Sequence, residues 1–418
     1  MCSSDLEITT RIGSIDSVYG YVHSFRITQE NGERLDEKKY NQSLTELLHQ
    51  IFNKNIENDP LNALLFSGDL TWRQINLIQT YRNYFLQLSK SYSRTFVNKT
   101  LLRHPDITCL IFEYFENKFS PQKKFGSRTD RENKCQTIKQ NFKEALRDVE
   151  DISEDIILIR LFNLIEATIR TNYFKGQTNT DTAISLKIDP SLVEQIPTPV
   201  PYREIYVYDT HMEGCHIRFG PVSRGGVRWS NREDDYRNEV LDLAKTQKVK
   251  NVVIIPNGSK GVFILKNPPQ ERKALFEASQ KQYERFIQAM LDITDSYDKS
   301  GKAQTPAQVL AYDDKDPYMV IAADKGTASF SDFANNISSL NNFWLGDAFA
   351  SGGSNGYNHK DEGITAKGAW ECVKLHFLEK GLNIQKDPIT VAGIGDMSGD
   401  VFGNGMLLSK ALKVQACF

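Results

Sequence analysis

"RFGPVSRGGVRWSNREDDYRNEVLDLAKTQKVKNVVIIPNGSKGVFILK", residues 218 to 266, decides the fold. Val252 to Ile255 form a short β-branched run, as in a buried strand, and the helix-compatible "REDDYRNEVLDLAKTQKV" precedes them. Lys260 follows in a turn bracketed by Gly258 and Gly261. The alternation continues outward, with "REIYVYDT" upstream, helices around 270–294 and 330–341, and "MVIAA" between those two. Strand and helix in repeated alternation predict an α/β layer structure.

Downstream, "KDPITVAGIGDMSGDVFGNGMLLSKALKVQACF" reads as a strand at Ile389 to Ala392, a glycine turn, a helix over 399–411 and a second strand from Lys413. This is the beginning of a Rossmann-type unit, 385–418, which needs further strands to be complete. Upstream, three prolines in "PTPVPY" (197–202) mark a domain edge. Before it, 36–196 reads as a helical region. Trp72, Ile75, Ile78, Tyr81, Phe85 and Leu88 recur at helical spacing behind a Thr71/Gln74 capping box, another helix is expected over 137–150, and "DIILIRLFNLIEATIRTNYF" reads as a buried helix. "SVYGYVHSFRIT" (17–28) reads as a single strand closing something earlier. The chain is therefore expected to be a segment of a longer protein, cut at both ends.

The totals exclude several classes. With 418 residues, two to four domains are expected, and 40% hydrophobic with 25% charged residues is ordinary for a globular protein. Lys and Arg (51) nearly balance Asp and Glu (53), which gives no footprint for nucleic acid. No apolar run is long enough to cross a bilayer, and "MCSSDLEITT" is not a signal peptide, so a cytoplasmic protein with reduced thiols is expected. Six cysteines without a C-x-x-C pair point to no metal, and His211, Cys215 and His216 in "HMEGCH" lack a second cluster.

Arg224, Arg228, Lys250 and Lys260 lie close together around Gly225, Gly226 and Gly261. Cations gathered at strand ends of an α/β sheet suit a dicarboxylate; the plain alternative is a set of solvated turn charges. Asp324, directly after Met319 to Ala323, can relay protons beside a lysine, or simply close an Asx turn. Asp332 has the position of a helix cap. "GIGDMSG" spaces Gly393, Gly395 and Gly399 as G-x-G-x-x-x-G, with Ser398 at the third fingerprint position. S-adenosylmethionine-dependent methyltransferases also have such a turn, and a non-catalytic anion-binding scaffold is a third reading.

The ordered set "GPVSRGGVRW", "KNVVIIPNGSKG", "AADKGTASFSD", "GITAKGAW" and "ITVAGIGDMSG" resembles the large-subunit, NAD-specific bacterial glutamate dehydrogenases from about Val18 to Phe418. The resemblance implies oxidative deamination of L-glutamate to 2-oxoglutarate and ammonia with NAD as cofactor, and a homo-oligomer. It divides the chain into the end of an upstream α+β regulatory region (1–35), a helical region (36–196), a substrate-binding α/β domain (197–384) and an incomplete nucleotide domain (385–418). It implies catalytic roles for Lys260 and Asp324, substrate contacts from Arg224, Lys250 and Arg228, and cofactor contacts from Thr365, Gly393, Gly395, Asp396, Met397 and Ser398. "KGVF" stands where the family has "KGGF", so Val262 is expected to narrow the space behind the lysine. The segment alone is expected to be inactive.

Overall fold

A computed structural model describes residues 8–15, 18–25, 36–123, 125–175, 182–250, 257–327, 329–356, 359–395 and 397–417, with side chains excluded over 8–25, 248–250 and 359–360. β1 (Ile8–Ile15) and β2 (Val18–Phe25) pair antiparallel, from Ile8 opposite Phe25 to Ile15 opposite Val18. One strand was expected over 17–28. The structure has two, because "ITTRIGSI" mixes Thr and Arg among its isoleucines and carries Gly13, which hides its pairing from a search for apolar alternation.

Among the described residues seven α-helices follow: α1 (Glu37–Phe52), α2 (Leu64–Ser67), α3 (Trp72–Leu88), α4 (Arg94–Arg103), α5 (Pro105–Phe119), α6 (Arg128–Ala145) and α7 (Ile152–Ala167). Asp36, Ser93, Ser127 and Asp151 cap their helices through side-chain oxygens, and Gln74 accepts from the Thr71 N–H at 2.8 Å at the start of α3. The expected face of α3 is the buried one: Trp72, Ile75, Ile78, Tyr81 and Phe85 all lie in the core.

The helical reading of 36–196 runs too far. α7 stops at Ala167, and β3 (Thr168–Thr171) and β4 (Ile184–Ile188) are strands of the main sheet. Lys118 is the reason the helix ends where it does. Its buried ammonium donates to the carbonyls of Ile165 (3.1 Å), Glu166 (2.8 Å) and Thr168 (2.7 Å), satisfying acceptors that a further helical turn would otherwise use. Burial pulls that ammonium down to about 8.

The sheet continues with β5 (Arg203–Tyr208), β6 (Met212–Arg218), β7 (Val227–Ser230) and β8 (Ser259–Leu265), in the order β3-β4-β5-β6-β8-β7. Among the described strands of this sheet only β7 and β8 run parallel; the other neighbours are antiparallel. α8 (Tyr236–Lys250) follows β7, and α9 (Arg272–Leu291) and α10 (Ser331–Leu340) come later. Period-two alternation along β6 and β8 separates two cores. Cys215, Ile217, Val262 and Ile264 face α3 and α8, whereas Met212, Phe263 and Leu265 face α9 and α10.

By contacts the chain divides into Met1–Ala350 and Ser351–Phe418. The second unit contains the helix Ile364–Leu378 and two parallel strands, Ile389–Gly393 and Leu412–Cys417. The helix expected over 399–411 is reduced to one wide turn at Asp400–Asn404 and little beyond it. Three glycines between 399 and 405 lower helix propensity there.

Candidate active site

Lys260 lies inside β8, the strand flanked on both sides, rather than in a turn after a strand. The expected strand Val252 to Ile255 lies outside the described residues. What places Lys260 is the pairing on either side: it stands opposite Ile217 of β6, while the Gly261 N–H donates to the Gly226 carbonyl at 3.0 Å. The two preceding residues extend that ladder. Arg224 N–H donates to Asn257 O at 3.2 Å, and Ser259 N–H to Arg224 O at 3.0 Å. Gly225 is needed because the chains meet backbone to backbone: a Cβ there would lie 1.5 Å from the Ser259 carbonyl oxygen. The Gly-Gly pair thus serves close packing of the chain on itself.

Asp324 reaches the same point from the loop after Ile321–Ala322. Its N–H donates to Thr327 Oγ1 at 3.1 Å, and that hydroxyl donates to the Val227 carbonyl of β7 at 2.7 Å, so Thr327 anchors the turn to the sheet. The Asx-turn role is present, since Lys325 N–H donates to Asp324 Oδ1 at 2.7 Å. The carboxylate does more than that. It receives the Lys260 ammonium directly, and Arg228 Nη2 stands 3.3 Å from Oδ1. Arg228 also faces Glu239 of α8, 3.7 Å away. Lys260 is 4% exposed and Asp324 partly exposed, which puts a nearly dry ammonium next to a carboxylate that solvent or a substrate can reach.

The remaining expected substrate residues are placed less completely. Arg224 has its backbone in the ladder and an exposed guanidinium that forms no ion pair with a described residue. Lys250 ends α8, and its side chain lies outside the described residues. Val262 is fully buried in the core with Cys215, Ile217 and Val240. It packs under α8, and it shares the face of β8 that carries Lys260. No group of three or more His, Cys, Asp or Glu suits a metal among the described residues. Cys215 donates to Glu204 at 3.1 Å, while His216, on the opposite face, packs near Gly261, and neither ring nitrogen bonds a described residue.

Residues 141–418 match the family described as bacterial NAD-glutamate dehydrogenase, catalytic domain, and 56–121 match glutamate dehydrogenase, helical motif 3. The chain belongs to the bacterial NAD-glutamate dehydrogenase family. It is 44% identical over 402 residues to the NAD-specific glutamate dehydrogenase of Pseudomonas aeruginosa, covering 95% of this chain and 25% of that protein. It is 42% identical over 404 residues to the enzyme of that name from Halomonas elongata, with the same shares of 95% and 25%. Against the enzyme of that name from Mycobacterium tuberculosis it is 43% identical over 384 residues, covering 89% and 24%. The chain thus spans about a quarter of the curated relatives it matches. Nothing in these matches supports a methyltransferase.

In the second unit, Gly393 ends the strand Ile389–Gly393, Gly395, Met397 and Ser398 follow it, and Asp396 lies outside the described residues. A Cβ on Gly393 would sit 2.0 Å from the Phe402 ring, so this glycine lets the turn fold over its own aromatic residue. Gly395, with φ of +151°, is exposed, as are Met397 and Ser398. An open glycine backbone at the carboxyl end of a parallel strand fits a pyrophosphate. Thr365 is exposed, and its N–H donates to Asp400 Oδ2 at 3.1 Å. Asp400 also accepts from Asn404 at 2.9 Å; that bond and the backbone donors at Thr365 and Ala366 hold its carboxyl below the usual range.

Sequence reasoning missed Thr327, Glu239 and Asp400. Thr327 had a usable signal, a hydroxyl three residues beyond Asp324 in "DKGT". Asp400 likewise stands just inside a helical start, where an acid stabilises free N–H groups. Glu239 had none, because its partner comes from another element.

Proposed function

We propose that the polypeptide carrying this chain oxidatively deaminates L-glutamate to 2-oxoglutarate and ammonia, with NAD+ accepting the hydride. The observation that carries the reading is the buried Lys260 ammonium joined to the Asp324 carboxylate. The names of the relatives support the reaction class.

Arg224 and Lys250 hold the two carboxylates of glutamate, the guanidinium offering a planar two-donor fork. NAD would accept the hydride from the α-carbon once the α-ammonium has given a proton to solvent, which leaves the iminium, and the residues in and beside "GIGDMSG", with Thr365, would hold it. Because Lys260 and Asp324 share a proton contact, passing the ammonium proton to the carboxylate frees the lysine amine as a base. The amine takes a proton from water as that water adds to the iminium carbon. Asp324 returns its proton to the departing nitrogen, and collapse of the carbinolamine releases ammonia, forms the carbonyl and sends one proton to solvent. Arg228, which bonds Asp324, keeps the carboxylate aimed at Lys260. The four-part division given above, a cytoplasmic location and a homo-oligomeric assembly belong to the same proposal. Among the described residues no helix is long and apolar enough to cross a membrane.

Titration of the chain with 2-oxoglutarate by calorimetry tests the substrate side. Arg224→Ala is expected to weaken binding by about tenfold or more, as loss of a charge-assisted pair does. Affinity unchanged by Arg224→Ala would remove this residue from the site.

A further inference from the structure

At the far end of the β5–β6 hairpin lies a polar cavity of about 260 Å³ that the reaction does not use. Lys260 stands opposite Ile217, and Leu265 opposite Met212, so five residues of β8 separate the two places. At about 3.3 Å per residue the separation is on the order of 17 Å.

The walls are strongly cationic. Lys54 follows α1, Arg73 is in the first turn of α3, and Lys281 and Arg285 lie one turn apart on α9. Asp209 is the acid in the lining, and it is already engaged: Arg285 Nη2 lies 2.5 Å from Oδ2, and the His211 N–H donates to Oδ1 at 2.9 Å. Lys54, Arg73 and Lys281 form no ion pair with a described residue. Three uncompensated cations therefore surround one cavity. Arg73 is held in position, its guanidinium carbon 5.3 Å from the Trp72 ring and 5.8 Å from the Tyr173 ring, and its buried Nε has no hydrogen-bond partner among the described residues. A stacked guanidinium with an unused donor is a prearranged carboxylate receptor.

We propose that this cavity binds a compact organic polyanion, a short-chain di- or tricarboxylic acid, as a site separate from the one that holds substrate. The volume lies below the roughly 300–1,000 Å³ of pockets for drug-sized ligands, which limits the carbon skeleton to a few atoms. The cations come from three separate elements, so spaced carboxylates meet them better than a single phosphate. The aromatic rings supply an apolar wall for the carbon chain.

Calorimetry with the full chain and propane-1,2,3-tricarboxylate is the test, with inorganic phosphate as the second titrant. One tricarboxylate is expected per chain, with affinity falling about tenfold or more in Arg73→Gln and in Lys281→Gln, and unchanged in Arg224→Gln. Lys281 is exposed, so its variant keeps the test valid should Arg73→Gln misfold. The proposal is overturned by absence of tricarboxylate binding at about 10 mM, or by affinity that Lys281→Gln leaves unaltered. It is also overturned by affinity that Arg224→Gln abolishes, or by phosphate binding as tightly as the tricarboxylate.

Discussion

Replacing Arg170 with Met is expected to destabilise the first unit by about 3–5 kcal/mol, the range for breaking a buried ion pair from one side. Arg170 is fully buried. Nη1 and Nη2 donate to the two oxygens of Asp295 at 2.8 and 3.0 Å, Nε donates to Asp313 at 2.5 Å, and the Asp314 carbonyl accepts at 2.9 Å. After substitution Asp313 keeps Lys187 at 2.7 Å, whereas Asp295 loses its charge partner and keeps the Asp316 N–H at 2.6 Å and the Thr305 hydroxyl. Burial alone raises the Asp295 carboxyl; Arg170 and the Asp316 N–H outweigh it and hold the group below its usual range. In the wild type this contribution is therefore present above the unfolded value of about 3.9 and is lost as pH falls through the lowered folded value. In the variant burial prevails, the carboxyl rises, and the loss shrinks as pH drops from 7 to 5. Urea unfolding followed by circular dichroism at both pH values measures this, and Arg170→Met with Asp295→Asn is expected to recover about 1–2 kcal/mol by removing the stranded charge. A loss below about 1 kcal/mol at pH 7, or one that grows toward pH 5, would show that no buried charge is stranded at Asp295. The same cluster holds the loop that leads to Asp324, so the variant is expected to lose catalytic alignment as well.

Gly225→Ala is expected to cost about 3 kcal/mol, the upper end for overpacking, because its Cβ meets a backbone oxygen that cannot rotate away; the thermal midpoint reports it. Asp324→Asn keeps the shape of the turn and removes the proton relay, so turnover should fall about 100- to 10,000-fold while 2-oxoglutarate binding persists, as steady-state rates and calorimetry can check. His216 is pushed down to about 3, first by burial and then by the Arg218 charge. As pH falls below about 6.5 the unfolded chain takes a proton that the folded one refuses, so up to about 1.4 kcal/mol of stability is lost per pH unit from this group. His216→Leu should flatten the stability profile between pH 6.5 and 4.5 by that slope.

Local periodicity revealed the helices well. The face of α3 and the existence of α9 and α10 follow from apolar spacing, and their residues are the buried ones. The strands at 168–171 and 184–188 were harder to read because each hides a charge: Arg170 and Lys187 are buried against Asp295, Asp313 and Asp316, partners more than a hundred residues away. Its flanking glycines single out Lys260 in the sequence but suggest a turn. Its strand exists because β6 and β7 flank it, and strand pairing at long range leaves little local trace. The Lys260–Asp324 pair joins residues 64 apart. Its members carried local signals, whereas their meeting depends on Gly225, Gly226 and Thr327 closing the backbone around them.

In the proposed reaction Lys260 does the proton chemistry of glutamate oxidation. Glutamate-dependent reduction of NAD+ by the polypeptide carrying this chain, compared with its Lys260→Ala variant, tests that role. Turnover is expected to fall by about a thousandfold or more while NADH binding, read by its fluorescence, stays within about twofold. A variant that keeps more than about a tenth of the wild-type rate would contradict the account.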